Sequence, residues 1–306
     1  MRVPITLVLC LVLCSWSWAG TLVLKRAWVK KYKDRATIEA DFVVDKAHKK
    51  PNSAKSDGDM HFAGRSQKQV GLPVVAEMVN AGQPGQKAAF DSIRANEGNG
   101  QSVAMSGVWR LWFEHPADIQ VQFADFPAAV NTNPDHSFEI HPVTRFAGLE
   151  VEKSFDFIPG FSGHDPNKAF AAYNKLSVTV RASASAITLV ASKSGFNYTH
   201  FRMRLMGKPK KLVDGGLMVF ADVEDDAGPE TDGDDPLARG IRMIFTPGTP
   251  AAAMLSGKGA GDEFIAIGIP RVNLNALYTA IEQAGTTQFS GKLPYEMIVV
   301  AVKAID

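Results

Sequence analysis

From Thr21 onward, apolar and polar residues alternate in short runs separated by turn residues, the pattern of strands with one buried face. It predicts strands over 22–33, 35–45, 59–65 and 72–79, with Lys46 to Ser56, which contains Pro51-Asn52, as an exposed loop. The period changes at Gln86 to Glu97, where Ala88, Ala89, Phe90, Ile93 and Arg94 recur at helical spacing up to a stop at Gly98-Asn99-Gly100. Strands return at 101–113 and, beyond an irregular Pro-containing segment over 115–134, at 137–146. Strands, one helix, then two more strands is the order of an OB-fold, a small Greek-key barrel; an open sandwich of the same strands is the alternative.

The second half has the same texture. A connector at Gly163-His164-Asp165-Pro166 leads into a short helix over 167–175. Strands follow at 176–182, 186–192, 197–207, 212–223, 239–246 and 263–269. Asn273 to Ala284 places Leu274, Leu277, Tyr278 and Ile281 on one helical face, with Asn273 or Asn275 as its cap, and a last strand runs from Tyr295 to Ile305. The fold class is therefore mainly β: an OB-fold-like five-stranded barrel with one helix over 20–150, then a β-rich α+β domain over 151–306 that could be a second barrel. No residue-level repeat links the halves.

The residues before this pattern read as a secretory leader. Arg2 precedes an apolar run from Ile5 to Cys14, and Ser17-Trp18-Ala19 presents small residues for cleavage before Gly20. The run is too short for a membrane span, which needs about 20 residues, and no later run is longer. Leu13 before Cys14 argues against lipidation, so the mature chain is expected in the periplasm or secreted. Both cysteines, Cys10 and Cys14, leave with the leader, which excludes disulfides, cysteine nucleophiles and thiolate metal sites. Across 306 residues, 33 Lys and Arg face 32 Asp and Glu. Arg2 also leaves, so the mature chain is formally neutral, and a nucleic-acid partner is disfavoured because such proteins carry a basic excess.

Two segments concentrate the chemistry. Asp57-Gly58-Asp59-Met60-His61 and Glu139-Ile140-His141-Pro142 space polar side chains two apart, which on a strand puts them on one face. The intervening Met60, Phe62, Phe138 and Ile140 would then face the core. With Glu77 and the pair Glu114-His115, these residues offer the carboxylates and imidazoles that suit a divalent metal ion or acid and base work. The competing reading makes Asp57-Gly58 a turn and the histidines half-exposed strand residues. Along 109–113 the alternation sends Trp109, Leu111 and Phe113 one way and Arg110 and Trp112 the other. Trp109, Arg110, Trp112 and His115 are thus a candidate binding surface, and a core stripe with one Trp at its edge is the plainer alternative.

Other motifs carry less. Thr231-Asp232-Gly233-Asp234-Asp235 lacks the ligand order of a calcium loop, and Gly160-Phe161-Ser162-Gly163-His164 matches a nucleophile elbow only until its final glycine is replaced by His164. Asn197-Tyr198-Thr199 is a glycosylation sequon within strand-like sequence.

The order DGDMH at 57–61, Val75-Ala76-Glu77, Ser106-Gly107-Val108-Trp109, then Asn133-Pro134-Asp135 leading into Glu139-Ile140-His141-Pro142-Val143 resembles exported bacterial proteins of uncharacterised function. Their shared core runs DGDxH, AE, GV and ExHPV. The resemblance covers residues 55–147 and implies an OB-like module in a bacterial envelope or secreted protein, without bringing an activity. The expectation is an exported, non-catalytic module that binds a small molecule or an envelope component. The alternative is a metal-dependent hydrolase, acting for instance on phosphodiesters, with Asp57, Asp59, His61, Glu139 and His141 around the ion.

Overall fold

The computed structural model describes residues 19–151, 163–225 and 235–305. Residues 1–18 of the expected leader, the start of the elbow-like motif and the acidic stretch at 231–234 lie outside them.

The chain is mainly β, and its two halves have one topology. In the first, the strands Thr37–Ala47, Met60–Arg65 and Pro73–Met78 form a meander, followed by a helix, Lys87–Asn96, and the strands Ser102–His115 and His136–Phe146. The third strand pairs in parallel with the fifth, and the fourth pairs antiparallel with both the first and the fifth, so the sheet closes on itself. This is the OB-fold order expected from the sequence. In the second half Thr199–Leu205, Leu217–Glu224, Ala238–Phe245, Glu263–Val272 and Tyr295–Ala304 repeat it strand for strand, including the parallel pairing of the third and fifth. A four-residue helix, Pro250–Ala253, stands where the first barrel has its longer one.

A third sheet joins the barrels, in the order Gln288–Lys292, Ser177–Ala182, Ala186–Ser192, Ala19–Lys25, Ile119–Val121. Its two edge strands come from equivalent places, the connection between the fourth and fifth strands of each barrel. The expected strand over 22–33 is corrected here: it ends at Lys25 and turns into a helix, Arg26–Tyr32. Trp28, Val29 and Tyr32 are buried on one side of that helix, a spacing a strand could not place on one face, and Lys30 and Lys31 in the last turn suit the negative end of its dipole. The helix Leu274–Ala284 is capped as expected: Asn273 Oδ1 accepts from the Ala276 N–H, and Gly285 ends it with φ of 60°.

The main apolar core runs through both barrels, and a smaller cluster fills the seam between them. There Val79 and Val108 of the first barrel pack with Tyr198, Ile267, Ile269 and Ile298 of the second. The seam is why Arg110 and His141, on outer strand faces read from the sequence, are not solvent-exposed: the second barrel covers them.

At its centre is a clasp of two-fold character. In each barrel an Arg of the fourth strand stands opposite a Glu of the fifth, Arg110 beside Glu139 and Arg271 beside Glu296. Arg110 Nη1 donates to Glu139 Oε2 at 2.5 Å, and Arg271 Nε donates to Glu296 Oε1 at 2.6 Å. Each guanidinium also crosses the seam to the carbonyl just before the other arginine: Arg110 Nε to Pro270 O at 2.9 Å, Arg271 Nη1 to Trp109 O at 2.9 Å. Burying a charge requires such compensation, and all four side chains are buried with it.

Candidate metal centre

The strand order explains how separated motifs meet. The strands carrying His61 and His141 are not neighbours; Pro73–Met78 lies between them and pairs with both, His61 opposite Glu77 on one side and Val75 opposite Glu139 on the other. His61, Glu77, His141, Glu139 and Arg110 thus form one row across four adjacent strands. Asp59 joins from the turn before the second strand, with Asp59 Oδ1 accepting from the Asn80 N–H at 3.2 Å.

Tyr198 closes the row from the second barrel. Its hydroxyl donates to Asp59 Oδ2 at 2.5 Å and lies 2.6 Å from His141 Nε2. His141 Nδ1 faces two carboxylate oxygens, Glu139 Oε2 at 3.3 Å and Glu77 Oε2 at 3.4 Å. Glu77 Oε2 is also 3.3 Å from His61 Nε2, yet it is buried and makes no hydrogen bond. On the far side Glu139 Oε1 is 3.1 Å from His136 Nε2, and Arg110 Nη2 donates to Glu114 Oε2 at 3.0 Å.

Three buried carboxylates, Asp59, Glu77 and Glu139, thus stand beside one buried guanidinium, Arg110, which bonds Glu139 and Glu114. The shortage of positive charge sets the protonation. Burial, with Glu77 and Asp57 nearby, pushes the Asp59 carboxyl well above the usual range. Burial likewise lifts Glu77 to about 7, although His141 pulls it down. Glu139 goes the other way: burial opposes it, but Arg110 and His136 hold its carboxyl well below the usual range. His136 rises because its contact with Glu139 outweighs burial, while burial lowers His61. Such a site completes itself with protons or with a cation.

Asp59, Glu77 and His141 each bring a ligand atom within 4.8 Å of the others, and so do Asp57, Asp59 and His61. Buried Asp, Glu and His groups could thus hold a metal ion, and oxygen with imidazole nitrogen suits zinc or manganese. The six residues that the sequence singles out, Asp57, Asp59, His61, Glu77, Glu139 and His141, all converge, with Glu139 committed to Arg110 and His136 rather than to the ion position. The Trp109, Arg110 and Trp112 surface is corrected: all three are buried, Trp109 in the barrel core with its indole donating to Arg35 O and Arg110 in the clasp, and His115 alone of the four stays open. Two contributors escaped the sequence. His136 reaches Glu139 from three residues upstream, a spacing that alternation does not mark. Tyr198 belongs to the other barrel, and no local signal points across the seam.

No family model matches the chain, and no curated protein matches it. Among solved structures, the wild-type single-stranded DNA binding protein from Thermus aquaticus aligns over 93% of this chain and 94% of its own at 8% identity and a TM-score of 0.22. A deletion mutant of the same Thermus aquaticus protein aligns over 89% of this chain and 93% of its own, also at 8% identity, with a TM-score of 0.23. Scores this low carry nothing for function, and the fold above rests on the strand pairings. No described helix is long and apolar enough to cross a membrane.

Proposed function

We propose that this chain is an exported, non-catalytic binding module whose first barrel holds a divalent metal ion between Asp59, Glu77 and His141. The observation that carries this reading is Glu77 Oε2, a buried carboxylate oxygen without a hydrogen bond, aimed between two imidazoles. An ion there would supply the missing positive charge. His141 is prepared for it: with Nε2 hydrogen-bonded to Tyr198, its Nδ1 is turned to the carboxylates, the second contact that orients a metal-binding imidazole.

Enclosure favours binding over turnover. The three side chains are 0%, 5% and 0% exposed, so a substrate has no route to an ion they hold, which weighs against the hydrolase alternative. Export to the periplasm or outside the cell rests on the leader at 1–19, and the neutral charge of the mature chain supports a small molecule or envelope component rather than nucleic acid as partner.

The test is elemental analysis of the mature protein made without a His-tag, beside Glu77→Gln. A stoichiometric ion in the wild type, lost in a variant that stays folded, is the expected result. No ion after supplementation with manganese and zinc overturns the reading.

A further inference from the structure

We propose that a second divalent cation, open to solvent, is held by Asp57, Asp59 and His61 beside the enclosed one, with Asp59 shared between the two. This rests on the reading above and extends it from one ion to a pair.

Three observations meet at this position. First, Asp59 belongs to both ligand groups, and its two oxygens point to different partners, Oδ1 to the Asn80 N–H and Oδ2 to Tyr198. A shared carboxylate is the usual bridge of two-metal sites, where ions lie about 3.5–4 Å apart. Second, the unpartnered Glu77 Oε2 is nearly equidistant from His61 Nε2, at 3.3 Å, and His141 Nδ1, at 3.4 Å, so it faces one imidazole of each group. An ion on His141 alone would leave that symmetry without a cause. Third, the outer ligands are held in place. Asp57 Oδ1 accepts from Asn52 Nδ2 and from the Asp59 N–H, both at 3.0 Å, and Gly58 makes the turn between the carboxylates with φ of 74°, which suits glycine. The His61 ring stacks on His48 at 4.9 Å and 11°, which fixes its plane and keeps Nε2 toward Glu77.

The second barrel supplies an internal control. Matching the pairings of the two barrels puts Met218 where the first has His61, and Gly216 where it has Asp59. The barrel closes without these ligands, so closure alone does not require them. The two positions differ in access. Asp59, Glu77 and His141 are enclosed, whereas His61 is 17% exposed and Asp57 is half-buried, so the outer ion keeps coordination positions for water and exchanges faster.

The experiment uses the full mature chain, stripped with a chelator and reloaded with Mn2+, read by equilibrium dialysis and electron paramagnetic resonance; Zn2+ loading is read by elemental analysis. The wild type is expected to take two ions per chain with an exchange-coupled manganese signal. Asp57→Asn and His61→Gln should each take one, with the signal of an isolated Mn2+. Asp57→Asn keeps the carbonyl oxygen that accepts from Asn52 and the Asp59 N–H, so its turn should survive; His61→Gln makes the same comparison independently. One ion in the wild type, bound unchanged by both variants, overturns the second position and leaves the first standing. No ion of either metal in the wild type overturns both.

Discussion

The two barrels share a strand order, a closure and a buried Arg–Glu clasp, and they differ in the row of residues beside that clasp. In the first barrel this row holds His61, Glu77 and His141; matched through the strand pairings, the second has Met218, Ile244 and Ile298. Its remaining polar group is Arg242, which joins Glu296 at 2.9 Å and gives that glutamate two cationic partners. What the barrels share is therefore what the seam needs, and what they do not share marks the candidate centre. The electrostatics divide likewise. The second barrel has two guanidinium groups for one carboxylate, and burial pushes Arg271 down to about 10; the first has an excess of carboxylates, and the two away from Arg110, Asp59 and Glu77, are pushed up.

The largest effect should come from breaking the clasp. Removing one partner of a buried ion pair strands the other and costs about 3–5 kcal/mol. Arg110→Met is expected in that range by urea denaturation, because it leaves Glu139 with imidazole partners alone; Arg271→Met should cost less, since Glu296 keeps Arg242 and the loss comes from the contacts to Ala36 O, Trp109 O and Arg35 O. A divalent ion separates them: it should restore part of the loss in Arg110→Met, where it replaces a cation among carboxylates, and nothing in Arg271→Met. Equal rescue of both would erase the distinction between the barrels.

That distinction was half legible in the sequence. Alternation gave the barrel order and the inward face of each strand, because core burial follows a period of two, and the two-residue spacing at 57–61 and 139–141 marked the polar row. What lies over an outward face depends on another part of the chain, so Arg110 and Trp112 read as a surface although the second barrel covers Arg110 and Tyr173, from the helix Pro166–Tyr173, packs on Trp112. The repeat was hidden for a related reason. The closure tolerates any apolar residue of suitable size, and polar identity survives only at Arg110 with Arg271 and at Glu139 with Glu296, too few positions to register as a sequence repeat. The helix at 26–32 was lost because a strand ran directly into it without a turn residue between them.

A middle effect is expected from pH in the metal-free protein. Glu77 rises from its ordinary value of 4.5 to about 7 on folding, so its protonated form stabilises the fold. That stabilisation is complete below pH 4.5 and is lost as pH rises through 7, a difference of about 3 kcal/mol. Asp59 and His136, both raised, act in the same direction. Burial lowers His61, His48 and His115, which act oppositely below their ordinary value of 6.5, so the metal-free melting temperature should fall from about pH 6.5 to about pH 8, and Glu77→Gln should flatten part of that slope. Metal works oppositely, because a ligand must shed its proton first, so the ion should bind more tightly as pH rises. A melting temperature that rises over this window without metal would mean that Glu77 is ionised throughout.

The smallest effect on stability should come from the change that removes most of the centre, giving the first barrel the second barrel's residues through Glu77→Ile with His141→Ile. Both replacements put apolar groups where the second barrel already buries Ile244 and Ile298. Replacing buried charged groups by well-packed apolar ones is often neutral or stabilising by about 1–4 kcal/mol. Asp59 keeps Tyr198, and Glu139 keeps Arg110 and His136, so neither is stranded. The metal-free double variant is therefore expected to melt at or above the wild-type temperature while holding no enclosed ion. A loss of several kcal/mol would instead place the Glu77–His141 pair among the contacts that hold the seam, with Arg110 and Glu139. Retained stability with lost metal would mean that the first barrel gives up stability to keep a site the second never had, which is the relation expected of residues kept for binding rather than folding.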